Sequence, residues 1–381
     1  MRVALLATIA LAVAAQDQPP DIDPLLKTAR AGYSKGDYAA ARAALEQAWT
    51  LAQELPAKEP MRYEILKQLS GVLSAAGDYA GAQNYVELAI NWRETAIGRD
   101  DPKIADDMIE LATLCQRQKD LPRALALLQS AQSMHIRASG PESLAVADDF
   151  SRIALVQMDA MKPQLATGPL QRAIEIREKV LGAEHPAILP ELDRLAAAWI
   201  PLREYAKAEE TFRRALIIRE RLVGPMHADL MPTVEGLAYS LFGQKKYEEA
   251  EPGYKRLLAL WIFSTGHPDH PMVALTLDKI AVFYREQGRW EEGTDAADRA
   301  NALRALFLAN GLSQEASARQ AHGDKKEAAR LFGLALDTLF ASRPEHSELR
   351  QQLENNLKEL GIEEKPHKAS PAKSRIDSKK Q

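Results

Sequence analysis

A single pattern, repeating about every 42 residues, constrains this 381-residue chain more than any other feature. Each occurrence has a short turn segment, then a bulky residue, then a small residue three positions later. Six copies are plain: Gly36-Asp37-Tyr38 with Ala41, Gly77-Asp78-Tyr79 with Ala82, Lys119-Asp120-Leu121 with Ala124, Arg203-Glu204-Tyr205 with Ala208, Lys245-Lys246-Tyr247 with Ala250, and Gly288-Arg289-Trp290 with Gly293. Met161-Lys162-Pro163 with Ala166 is a degenerate copy, and Gly323-Asp324-Lys325 with Ala328 extends the series. The intervals between the small residues are 41, 42, 42, 42, 42, 43 and 35. Ala89, Ala131, Ala173 and Ala215 keep the same spacing inside helix-patterned segments. Gly98, Gly140, Gly182 and Gly224 close those segments, and the left-handed conformation that ends helices is expected there.

Within a unit the apolar residues follow the helical period. Leu192, Leu195, Ala196 and Trp199 form one stripe; Phe212, Ala215, Leu216, Arg219 and Leu222 form another. Each unit therefore reads as helix A, a tight turn, helix B and a Gly/Pro loop. No unit can bury its stripe alone, so neighbours must stack. A chain of this length is in any case too long for one ordinary core.

From Ala173 to Glu251 the Tyr-x-x-Ala box, the Ala-Leu-x-Ile-Arg-Glu second helix and the Gly-x-x-His-Pro loop follow one another in register. This stretch resembles the 42-residue tetratricopeptide repeat of kinesin light chains and of many bacterial proteins, here in an exported bacterial form. The likeness covers roughly 24–342 and is strongest from 79 to 293. It implies an all-α fold, a right-handed α-α superhelical solenoid of about eight TPR helix pairs with atypical units at the ends. The resemblance speaks strongly for the fold and weakly for the function.

The ends differ in composition. After Arg2, residues 3–15 are almost wholly apolar, and Val13-Ala14-Ala15 has a signal-peptidase pattern before the polar Gln16–Pro20. The expected organisation is a signal peptide over 1–15, a linker over 16–23, the solenoid over 24–342, a capping helix over 343–362 and a disordered basic tail over 363–381. Export to the periplasm or medium follows; the alternative is a cytoplasmic protein with an apolar N-terminal helix. The apolar run is too short to span a bilayer, so no integral membrane insertion is expected after cleavage. The tail carries six Lys/Arg against three acids and Arg2 adds one positive charge, which leaves 16–362 at −8 of the overall −4. A body of that sign repels phosphate backbones, so nucleic acid is not expected as its partner.

Candidate chemistry is thin. His185, His227 and His270 lie in successive loops, separated by whole helix pairs of about 10 Å. One zinc ion cannot collect them; they are expected to cap the next helix, and no metal or cofactor is expected. Cys115 falls in the slot that holds Trp199 and Tyr284 elsewhere, which makes it a buried core residue. Asp106-Asp107, Asp148-Asp149 and Glu248-Glu249 are adjacent pairs, read as solvated or first-turn charges. No catalytic motif is present, and the chain is expected not to be an enzyme.

The resemblance implies a concave groove lined by helix A, at slots 15, 12, 11, 8, 5 and 4 residues before the turn aromatic. Units two and three place Glu64, Lys67, Asp106 and Glu110 there. The expected partner-binding set is Arg152, Leu155, Met158, Asp193, Arg194, Ile200, Glu235, Tyr239, Phe242, Asp278 and Lys279, with Val282 and Arg285 beside it. Leu155, Met158, Ile200, Tyr239 and Phe242 make an apolar floor between charges of both signs, which suits an extended peptide or a partner helix. Kinesin light chains carry Asn pairs at slots 12 and 11. Here Asp193-Arg194, Glu235-Gly236 and Asp278-Lys279 stand instead, so kinesin cargo specificity does not transfer. The expected function is a non-catalytic scaffold that binds a protein or peptide. The alternative is a structural or oligomerisation module of a cell-envelope assembly, with self-association through its ends or convex face.

Overall fold

A computed structural model describes residues 21–340 and 347–362. The signal-peptide segment and the basic tail lie outside the described residues, as do most of the linker and residues 343–346 of the expected capping segment. The described chain is all-α and contains no strand. It divides at Leu202 into two units.

The first unit holds α1 (Asp23–Ser34), α2 (Tyr38–Ala52), α3 (Pro60–Ala75), α4 (Tyr79–Ala96), α5 (Lys103–Arg117), α6 (Leu121–Ser139), α7 (Leu144–Asp159), α8 (Pro163–Leu181) and α9 (Leu189–Trp199). The second holds α10 (Tyr205–Val223), α11 (Met231–Gly243), α12 (Tyr247–Thr265), α13 (Pro271–Glu286), α14 (Trp290–Ala321), α15 (Lys325–Phe340) and α16 (Ser347–Glu359). Within each unit consecutive helices pack on one another, as in a helix-pair solenoid.

The turn between helix A and helix B has one chemistry throughout. A residue with positive φ stands at 36, 77, 119, 161, 203, 245, 288 and 323. In the turn after α1, the Asp37 amide donates to Gly32 O at 2.9 Å and the Gly36 amide to Tyr33 O at 3.0 Å. That pair of bonds satisfies carbonyls that a helix end leaves bare. The Asp of the box then starts helix B: Asp37, Asp78 and Asp120 accept from the amides of Ala40, Gly81 and Arg123. Ala41, Ala82, Ala124, Ala166, Ala208 and Ala250 are completely buried, so the helices of a pair meet on a methyl group.

Two expectations need correction. Gly140, Gly182 and Gly224 do not take the left-handed helical conformation: φ is 84°, 102° and 87° with ψ at 161°, 151° and 167°. This is extended backbone of the opposite hand, open essentially to glycine alone, and it sends the chain sharply away from helix B. Gly266, at φ 68° and ψ 3°, is left-handed in the helical sense. Secondly, α14 runs unbroken for 32 residues and serves as helix B of one pair and helix A of the next. The spacing of 35 between Gly293 and Ala328 omits the Gly/Pro loop that would have ended the first of them. With no proline between, the helix continues through Gly311.

Successive pairs are tied by polar contacts in the interior, again in 42-residue register. Arg93 Nε lies 3.0 Å from Asp107, His135 Nδ1 2.8 Å from Asp149, and Arg177 Nη1 3.3 Å from Glu191. In the second unit Arg219 donates to the Thr233 hydroxyl. Each contact joins a helix B to the helix A that follows it. Asp107, Asp149, Glu191 and Thr233 are exposed by 3% or less, so Asp107 and Asp149 are not the solvated charges their sequence neighbours suggest. Asp106 and Asp148, one residue earlier, do face solvent, as do Glu248 and Glu249.

Candidate partner-binding face

The slot eight residues before each turn aromatic carries Arg30, Gly71, Thr113, Leu155 and Ala197 in the first unit. In the second unit it carries Tyr239 and Val282. Leu155 is half-buried and the other six are exposed. On helices whose opposite stripe is buried, a slot that stays open in repeat after repeat marks a solvent-facing row within each of the two units.

In the first unit this row borders two cavities. One of about 360 Å³ is lined by Arg30, Tyr33, Gln68 and Gly71 over Leu45 and Val72. Another of about 380 Å³ is lined by Tyr79, Thr113, Gln116, Arg117, Lys119 and Asp159. Both fall within the size range of small-ligand or side-chain pockets. Near them, Tyr63 and Lys67 donate to Asp107 at 2.7 and 2.8 Å, and Lys67 also reaches Glu110. Ser70 donates to Glu110 at 2.8 Å. Burial works against the Lys67 ammonium, yet hydrogen bonds to Asp107 and Glu110 outweigh it and hold the group above the usual lysine range. The Arg93 guanidinium stacks over the Tyr63 ring at 4.2 Å and bonds Asp101 and Asp107. Lys67 and Glu110 are therefore engaged with one another, while Glu64 and Asp106 are exposed.

Further along the first unit, Arg152 is exposed, whereas Leu155, Met158, Asp193, Arg194 and Ile200 are half-buried. Arg194 lies 3.2 Å from Glu191, at the edge of the contact that Arg177 makes with the same carboxylate.

In the second unit the aromatic residues dominate. Tyr239 is 43% exposed and Val282 53% exposed. The Tyr239 ring is held between Tyr205 at 6.3 Å, edge-on, and Phe242 at 6.4 Å. Phe242 itself turns inward, 5.8 Å from Phe283 and 6.0 Å from Tyr247. Phe242 thus supports the open ring of Tyr239 and offers less surface of its own. The charged slots pair with neighbours: Glu235 with Lys279, and Asp278 with Arg304 through two bonds of 2.8 and 3.0 Å. Gly236 stands in the slot because a Cβ there would lie 2.2 Å from the Phe212 ring.

The three loop histidines cap as expected. His185, His227 and His270 each accept through Nδ1 from the amide two residues on, at 3.2 Å. His270 also stacks on Trp261 at 5.8 Å. Cys115 is fully buried, and burial pushes its thiol up. Among the described residues no three His, Cys, Asp or Glu side chains gather to hold a metal, and no helix is long and apolar enough to cross a membrane.

The sequence missed the interior Arg/His–acid series. The signal was available, since Arg93, His135, Arg177 and Arg219 recur at 42 and so do Asp107, Asp149, Glu191 and Thr233.

Residues 61–137, 162–187 and 192–229 match family models of the tetratricopeptide repeat. No curated protein matches the chain. Among solved structures, BtubC from P. vanneervenii is 20% identical over 60% of this chain and 93% of its own, with a TM-score of 0.50. A signal-transduction ATPase with numerous domains from Pyrococcus horikoshii, which has a tetratricopeptide repeat sensor, is 15% identical with a TM-score of 0.53. That match covers 72% of this chain and 40% of the ATPase. TPR-like repeats assigned to a kinesin light chain of Podosopora anserina are 20% identical over 55% of this chain and all of theirs, with a TM-score of 0.47. Repeats of this kind are in general non-catalytic protein-interaction scaffolds. The chain carries tetratricopeptide repeats, and its helix pairs have the fold of these solenoids.

Proposed function

We propose that the chain is a non-catalytic scaffold whose helix-A face binds a protein or peptide. The observation that carries this reading is the open slot on successive A helices, with Tyr239 as a half-exposed aromatic ring braced from both sides. A rigid aromatic that loses little entropy on contact is the residue type that anchors interfaces. Leu155, Met158 and Ile200 extend the apolar component in the first unit, and Arg152, Asp193, Arg194, Glu235, Asp278 and Lys279 flank it. The test is affinity capture with wild type beside the double variant Tyr239→Asp/Val282→Asp, matched in helicity and melting temperature. Val282 is chosen rather than Phe242 because Phe242 packs on Phe283 and its loss would unsettle the core. The reading requires that a captured partner be lost with the variant; retention of the same partner at the same yield contradicts it.

The proposal includes export, on the apolar run before Gln16. Mass spectrometry of the protein from the producing cell should then find a mature N-terminus near residue 16, whereas an intact Met1 end contradicts export with cleavage.

A further inference from the structure

Three rungs of the interior series in the first unit do the same job with different chemistry. Asp107 accepts from Arg93, Tyr63 and Lys67, so both of its oxygens are satisfied. Glu191 Oε1 faces Arg177 and Arg194 and accepts from Ser151 at 2.9 Å, so its charge is matched by two guanidinium groups although its Oε2 is also buried without a donor. Asp149, between them in register, has only His135, at 2.8 Å on Oδ2. Its Oδ1 is buried and has no donor among the described residues. The repeat register shows why. The positions equivalent to Tyr63 and Lys67, 42 residues on, are Ala105 and Ile109, which donate nothing.

We propose that the His135–Asp149 contact is a proton-dependent joint between the third and fourth helix pairs, tight when the pair holds an extra proton and weakened when it does not. Arginine keeps its charge at every physiological pH, so the Arg93 and Arg177 rungs are fixed. Histidine is the residue type whose charge changes between about pH 5 and 8. Where the imidazole is neutral, a fully buried carboxylate is left with one neutral hydrogen bond and one bare oxygen, a costly arrangement. Adding a proton converts the contact into an imidazolium–carboxylate pair or a neutral pair, and both remove the uncompensated charge.

The surrounding charges do not supply a substitute. On α7 itself Arg152 favours the Asp149 carboxylate and Asp148 opposes it. On α8, Arg177 is taken by Asp148 and Glu191. In the loop before α7, Glu142 is occupied by Arg172 and Lys179. On α5 the equivalent slots, Ala105 and Ile109, are uncharged, and Glu110 bonds Lys67 and Ser70. Burial pushes the Asp149 carboxyl above the ordinary range, against the pull of His135 and Arg152. A carboxyl raised in the folded state contributes most stability below its unfolded value and loses it as pH rises through the folded one. The joint therefore tightens with acid and loosens with base.

The test is hydrogen exchange, corrected for intrinsic rates, on the amides of α6 and α7 at about pH 5.5 and about pH 8. Protection in wild type should fall about tenfold on going to the higher pH, with α3–α4 amides as the internal control. His135→Arg, which copies the neighbouring rungs, should hold protection within about twofold across the same range. Asp149→Asn serves the same purpose without adding bulk, so the test survives if the arginine variant fails to fold. If both variants keep the wild-type pH dependence, or wild type shows none beyond the control, the proposal is overturned.

Discussion

At the scale of single residues, the turn between helices A and B sets a strict conformational demand that the sequence meets only half the time. Glycine fills the positive-φ position at 36, 77, 288 and 323, but Lys119, Met161, Arg203 and Lys245 take it at φ of 67°, 56°, 58° and 61°. A left-handed side-chain-bearing residue costs about 1–2 kcal/mol, and glycine returns about 0.4–1 of that through the unfolded chain. Met161→Gly should therefore stabilise the protein by about 0.5–1 kcal/mol, read as a raised denaturant midpoint at unchanged slope. Met161 is 86% exposed, so little packing is lost to confuse the result. An unchanged or lowered midpoint would mean that the turn is not strained. The turn was legible from sequence because it is local, with the box residue and the buried Ala within six positions; its positive φ and the capping role of its Asp were not read there. The interior acids were not, because each was judged by its neighbour in the chain. Asp107 finds Arg93 fourteen positions away on another helix, and only the 42-residue comparison of repeats brings the two together.

At the scale of helices, spacing decides where an element ends. The interval of 35 before Ala328 signals the loss of a loop, and α14 is the continuous helix that results. Glycines inside helices follow a second rule, contact. Gly236 on α11 makes room for the Phe212 ring of α10, with 2.2 Å left for a Cβ, whereas Gly311 on α14 has nothing within 4 Å. Opposite outcomes follow for the same substitution. Gly236→Ala should cost about 1–3 kcal/mol by forcing the ring aside. Gly311→Ala should stabilise by about 0.5–1 kcal/mol through helix propensity alone. Thermal unfolding of the two variants side by side checks both signs. A neutral Gly236→Ala would show that the Phe212 ring has other places to go. The sequence placed glycine in a groove slot, where Asn is found in kinesin light chains. The reason, an aromatic arriving from the preceding helix, is a matter of packing that no spacing reveals.

At the scale of the molecule, the repeat register carries the expectation of stacked helix pairs, and the slots it assigns to a groove differ widely in exposure. Of the expected floor residues, Tyr239 is exposed, and Leu155, Met158, Ile200 and Phe242 are half-buried, the Phe242 ring lying against Phe283. Register gives the slot and packing gives the exposure. The central claim is that the helix-A face is where a partner sits. The most direct measurement places a photo-crosslinking amino acid at Tyr239 and, in a separate variant, at Phe263, which is 66% exposed at the far end of α12. Irradiation in the producing cell should yield a covalent adduct from position 239 that is absent from position 263. An adduct from 263 alone would move the partner off the helix-A face and contradict the account.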